Sequence, residues 1–189
     1  MWYPAPSFFA RYSVFIVIRQ HLKPVGSSRD GVNSISQENN IKSYSRDSGV
    51  LSLMYHRFNE NKYPSTNIRM DMFDEQMKII KNQGYEFYDP NNFLNEFNKV
   101  KKNKKILITI DDGFKSFYNK AWPYLKKNKI PFILFVSTEP VGKRGYMTWD
   151  EIKEINDSDI GYIGHHSHTH EYLIDKTEKE FTKDIETAT

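Results

Sequence analysis

The stretch Ile106–Phe114 reads ILITIDDGF. From Ile106 to Ile110 it is apolar but for Thr109, and it shows no polar alternation. Such a run suits a strand buried on both faces, as in a parallel sheet covered by helices. Strands of that kind deliver functional groups at their C-terminal ends. Asp111 and Asp112 stand at that end, and Gly113 permits a sharp exit from the sheet. Two adjacent carboxylates repel unless a cation or a shared proton relieves them. Chemistry is therefore expected first at this pair.

Working outward, the remaining segments repeat a strand–helix order. Val50–Tyr55 (VLSLMY) reads as a first buried strand that runs into His56. Asp71–Gln83 carries Met72, Phe73, Met77, Ile79 and Ile80 near helical spacing, with Gly84 as its stop. Tyr85–Tyr88 reads as a second strand and Pro90–Phe97 as a helix. Lys99–Lys105 holds five lysines in seven residues and reads as a solvated connection. Phe114–Asn128 is helical in pattern, with Pro123 expected to kink or divide it. Pro131–Val136 is a fourth strand, and Thr148 with Glu151 makes a capping box for a helix over 148–155. Ile160–Ile163 is a fifth strand leading into a histidine-rich run. Lys176–Glu186 is a last helix, with Phe181 and Ile185 expected on its inner side.

The class is thus α/β with a mainly parallel sheet. The first, third, fourth and fifth strands end in His56, Asp111–Asp112, Ser137–Thr138 and His165–His166. In a parallel sheet these ends share one face, so an ionisable site is expected on one rim. Upstream, residues 1–48 comprise an apolar segment, Phe8–Ile18 interrupted by Arg11, and a polar Ser- and Asn-rich linker over 23–48. The domain is placed at 49–189.

Composition narrows the chemistry. The 189 residues contain no cysteine, so disulfides, thiolate metal sites and a cysteine nucleophile are excluded. A net charge of +3 gives no support for nucleic acid. No stretch approaches the ~20 apolar residues of a transmembrane helix. No glycine-rich phosphate loop is present, and no G-x-S-x-G elbow surrounds Ser137. Four histidines, His165, His166, His168 and His170, fall within six residues. His166 and His170 share a face if the segment turns helically, whereas a strand aligns 166, 168 and 170. Either arrangement offers two imidazoles to one ion, and a carboxylate from the third strand completes a three-ligand set with positions left for water. His56 reads either as a structural histidine or as a group that orients a carboxylate or lines the cleft.

At these residues the sequence resembles the polysaccharide deacetylases of carbohydrate esterase family 4, the NodB-homology group. Thr109-Ile110-Asp111-Asp112-Gly113 resembles the first family motif, and His166-Ser167-His168-Thr169-His170 the second. Leu53-Met54-Tyr55-His56-Arg57 is similar to the start of the poly-N-acetylglucosamine deacetylase subgroup. The resemblance implies a distorted (β/α) barrel, of which about five strands are read here. It implies that Asp112, His166 and His170 hold a divalent metal, zinc first and cobalt, nickel or iron as alternatives, and that Asp111 is the general base. His56 and Ser167 are assigned to the substrate cleft. The implied reaction removes N-acetyl groups from an N-acetylglucosamine polysaccharide outside the cytoplasm or in the cell envelope. O-deacetylation of a xylan-like glycan, or a non-catalytic remnant that binds glycan or metal, are the competing readings. Three later family motifs, including the one supplying the general acid, do not occur before Thr189. Residues 49–189 are accordingly read as the N-terminal part of such a domain, with weak metal binding and impaired activity expected of it.

Overall fold

A computed structural model describes residues 50–92 and 105–189; the 1–48 segment and most of the lysine-rich connection lie outside these. Strands β1 (Val50–Tyr55), β4 (Glu86–Phe87), β5 (Lys105–Asp111), β6 (Phe132–Val136) and β7 (Gly161–His165) form one five-stranded sheet with the path β1-β5-β6-β7. Every pairing in it is parallel, with β4 on the start of β5. A short parallel pair, β2 (Arg57–Phe58) and β3 (Asn67–Ile68), lies outside the sheet and has no counterpart in the sequence reading.

β5 is the central strand, and residues 106–111 are all buried. Its pleat sends Ile106, Ile108 and Ile110 into the main core. There they meet Phe73, Met77 and Ile80 from α1 (Met70–Asn82), Leu125 from α2 (Trp122–Asn128), and Ile152 and Ile155 from α3 (Trp149–Asn156). Leu107 points the other way, into a smaller cluster with Tyr88 and Ile133. The apolar run thus serves two cores, which is why it shows no alternation.

β1 occupies the expected residues but not the expected environment. It stands at the end of the sheet path, and Leu51 and Met54 are 55% and 52% exposed. An apolar run does not record how many neighbours its strand has. Pro90–Asn92 forms a single 3₁₀ turn where a longer helix was expected, and residues 93–97 lie outside the described residues. The 114–128 segment divides as expected, into a π turn at Phe117–Ala121 and α2, with Pro123 in the first turn of α2, where a missing N–H costs nothing. The Thr148–Glu151 capping box of α3 is present in both directions. On α4 (Glu178–Ala188) the inner face differs from expectation: Phe181 is 46% exposed, and the buried residues are Asp184 and Ala188. Among the described residues, no helix is long and apolar enough to cross a membrane.

Candidate metal and catalytic site

All the strand ends named above come to one rim of the sheet. β5 ends with Asp111, whose backbone is still extended and paired with Phe135 of β6. The next two residues leave in the left-handed region, Asp112 at φ 73° and Gly113 at φ 75°. Asp tolerates that region better than most residues, and glycine pays nothing for it. The Gly113 carbonyl then accepts from the Met147 N–H at 2.9 Å, tying the turn to the loop before α3.

β7 delivers the histidines. Beyond His165 the chain folds into a tight turn with Ser167 at φ 63° and His170 at φ 59°, neither a helix nor a strand. His166 N donates to Val136 O at 3.1 Å, and Glu139 N donates to His168 O at 2.9 Å, so the turn is laced to the end of β6. Its four imidazoles separate into two classes. His166 Nε2 and His170 Nε2 lie 3.2 and 3.0 Å from Asp112 Oδ1, with ring centroids 4.9 Å apart. His168 Nδ1 instead meets Thr138 Oγ1 at 2.8 Å. His165 Nδ1 accepts from Ser167 N at 3.0 Å, while its Nε2 faces Ile185 O at 3.3 Å. Ser137, weighed as a nucleophile, donates its hydroxyl to His166 O at 2.9 Å and acts as a brace.

One ligand atom from each of Asp112, His166 and His170 falls within 4.8 Å of the other two. Neither imidazole is aligned as an N–H donor to Asp112, and its Oδ1 is buried without a hydrogen bond. A buried carboxylate oxygen left unpaired is costly. Three lone-pair donors crowded without a hydrogen bond between them suit a shared cation, and a two-imidazole, one-carboxylate set suits zinc. The His170 side chain is 55% exposed against 13% for Asp112, so the cluster opens to solvent on its histidine side.

Asp111 sits one residue away and points elsewhere. Its Oδ2 lies 4.0 Å from His56 Nε2, and its Oδ1 is buried without a partner. Burial raises the Asp111 carboxyl above its ordinary value, against the pull of His166 and His56. Burial also works to raise Asp112, but the adjacent His166 and His170 overcome it and hold that carboxyl low. Two neighbouring aspartates are thereby driven apart in acidity.

Three residues take roles that the sequence reading did not assign to them. Arg57 places its guanidinium 3.4 Å above the Phe114 ring and 4.3 Å from that of Tyr63, packing β2 against the residue that follows Gly113. Thr138 anchors His168, and Asp184 of α4 accepts from the histidine turn. Thr138 was on the expected rim as a strand end, whereas Asp184 left no signal within its own helix. Ser167, assigned to the cleft, uses its Oγ to accept from His170 N at 3.1 Å inside the turn.

Residues 98–189 match the family model described as polysaccharide deacetylase. Over 143 residues the chain is 26% identical to the poly-beta-1,6-N-acetyl-D-glucosamine N-deacetylase of Staphylococcus aureus (strain MSSA476), covering 65% of this chain and 49% of that protein. It superposes on IcaB from Ammonifex degensii with a TM-score of 0.65 and 28% identity, covering 75% of this chain and 67% of that one. The Streptococcus pyogenes deacetylase PplD, in complex with acetate, matches with a TM-score of 0.62 and 25% identity over 74% of this chain and 65% of that one. The chain spans less than half the length of the curated relatives it matches.

Proposed function

Because residues 98–189 match the polysaccharide deacetylase family model, we propose that this chain belongs to that family and that its rim site removes N-acetyl groups from an N-acetylglucosamine polysaccharide of the cell envelope or extracellular space. The observation that carries this reading is the convergence of Asp112, His166 and His170 with a separate carboxylate, Asp111, beside them. The glycan is taken from the S. aureus relative, which is named for poly-β-1,6-N-acetylglucosamine. Acetate, held by PplD, is the product such a reaction releases.

In this reading Asp112 Oδ1, His166 Nε2 and His170 Nε2 hold a divalent cation, most simply zinc. Bound there, the cation polarises an acyl oxygen and acidifies a water. Asp111 is the general base that takes the proton from the water attacking the acetamide carbonyl. Its Oδ1 has no partner to give up before it accepts. His56 flanks the carboxylate, with its Nε2 4.0 Å from Asp111 Oδ2. Asp111 returns that proton to the departing nitrogen as the C–N bond breaks, so that acetate leaves and an amine remains on the sugar.

The test is acetate release from β-1,6-linked N-acetylglucosamine oligomers by the purified chain, with zinc, beside Asp111→Asn. A base of this kind contributes typically 10²–10⁴-fold, and a loss in that range with zinc affinity unchanged is expected. Acetate release undiminished in Asp111→Asn would sink the assignment of the base. Release from acetylated xylan in preference to the amide-linked oligomer would overturn the substrate.

A further inference from the structure

The turn that carries His166 and His170 is strained. Ser167 and His170 both hold positive φ, at 63° and 59°, and non-glycine residues enter that region only when their surroundings over-determine it. β6 supplies part of that determination through the Ser137, Thr138 and Glu139 bonds. The turn's outer half, residues 168–169, is held from the opposite side by α4.

Asp184 is the group that does so. It is 8% exposed on a helix that is otherwise mostly solvent-facing. Its Oδ2 accepts from His168 N at 2.9 Å, and its Oδ1 from Thr169 N at 2.9 Å and from Thr169 Oγ1 at 2.6 Å. Three donors on one carboxylate fix both the position and the tilt of the two peptides between the paired histidines. One residue along α4, Ile185 O faces His165 Nε2 at 3.3 Å. A helix that needed only to cover β7 would place an apolar residue at position 184, since burying a carboxylate costs free energy unless it is fully hydrogen-bonded.

We propose that Asp184 is a positioning residue for the metal-binding histidines, holding the 168–169 turn so that His166 and His170 meet beside Asp112. The inference rests on reading Asp112, His166 and His170 as a metal site, and it adds α4 to that site. Neither His168 nor Thr169 reaches the cluster; Asp184 acts through the peptide that joins them to His170. Asn at this position would turn an amide N–H₂ toward donors and lose one or more of the three bonds.

The experiment is cobalt titration of the full chain, followed by its visible absorption bands, for wild type, Asp184→Asn, Asp184→Glu and Ala188→Gly. Asp184→Asn is expected to weaken cobalt binding 10- to 100-fold, the range seen when groups that orient metal ligands are removed. Its spectrum at saturating cobalt should also change, and Asp184→Glu should restore part of both. Ala188→Gly loosens the same helix without touching the turn, so it should lower the melting temperature and leave affinity and spectrum alone. Wild-type affinity and spectrum in Asp184→Asn, or equal weakening by Ala188→Gly, would overturn the proposal. Absence of saturable cobalt bands in the wild type would instead overturn the metal site itself. Should Asp184→Asn fail to fold, Thr169→Val removes the 2.6 Å hydroxyl bond to Asp184, together with the 3.3 Å bond from Glu171 N, and should weaken cobalt binding in the same direction by less; unchanged binding there would count against the proposal.

Discussion

Replacing Asp112 by Asn separates a built metal site from a mere histidine cluster. Asn keeps the side-chain volume and accepts the left-handed backbone that Asp112 adopts at φ 73°. What it removes is the charge at the one atom that both imidazoles approach, at 3.2 and 3.0 Å. A ligand that binds only the folded state at 100 times its dissociation constant stabilises by about 2.7 kcal/mol. For a chain of this size that is roughly 5–11 °C in melting temperature, at about 2–4 °C per kcal/mol. Groups that merely support metal ligands already account for up to ~100-fold in affinity, so loss of a ligand charge should cost at least that. At the same zinc concentration the variant would then sit near its own dissociation constant, leaving about 0.4 kcal/mol, or roughly 1–2 °C. The assay is thermal melting by calorimetry or circular dichroism, with and without zinc, for both proteins. If His165, His166, His168 and His170 bound zinc by themselves, Asp112→Asn would keep the full shift. That outcome would refute the three-ligand site.

Two further predictions concern the scaffold. A methyl group at Gly113 would meet Met147 and Val136 only at 3.8 and 3.9 Å, so the cost of Gly113→Ala comes from its φ of 75° alone. At about 1–2 kcal/mol for a left-handed residue, the zinc-free melting temperature should fall by roughly 2–8 °C; an unchanged value would show that the exit from β5 is not conformationally demanding. Burial works to raise Glu151, but its ion pair with Lys115 and its hydrogen bond from Thr148 N hold the carboxyl below the ordinary range. A depressed folded-state pKa means that the stabilisation is present above the unfolded value of about 4.3 and is lost as pH falls through the folded one. Wild type should therefore exceed Glu151→Gln in melting temperature at pH 7, with the gap closing below about pH 4; a gap independent of pH would contradict this account.

How far the sequence could be read depended on whether a feature is local. The central strand was legible because each of residues 106–110 carries a side chain suited to burial, and both faces are covered. β1 has the same apolar character, yet Leu51 and Met54 are exposed, because its place at the end of the sheet is decided by segments far along the chain. The α3 capping box was legible because its reciprocal bonds span three residues. The inner face of α4 was misread through Phe181, since hydrophobicity alone ranks it above Asp184. Asp184 earns its burial from Thr169 and His168, fifteen and sixteen residues upstream, and no periodicity within the helix could show that. The ionisable groups of the site were visible as strand endings. The turn that sorts His166 and His170 from His165 and His168 was not, because φ at Ser167 and His170 is set by contacts with β6 and α4.

The same distinction explains how two adjacent carboxylates come to differ. The sheet ends between them: Asp111 is the last paired residue of β5, and Asp112 is the first in the left-handed region. Had the strand continued through Asp112, the pleat would have sent the two side chains to opposite faces of the sheet, and one would have entered the apolar core. Had the turn begun one residue earlier, Asp111 would have lost its register opposite Phe135. Ending the strand at this bond keeps both carboxylates on the rim while giving each its own neighbour, His56 for Asp111 and the paired histidines for Asp112. On the proposed assignment, a carboxylate free to accept a proton stands beside one that holds a cation, and the backbone step from extended to left-handed sets their separation.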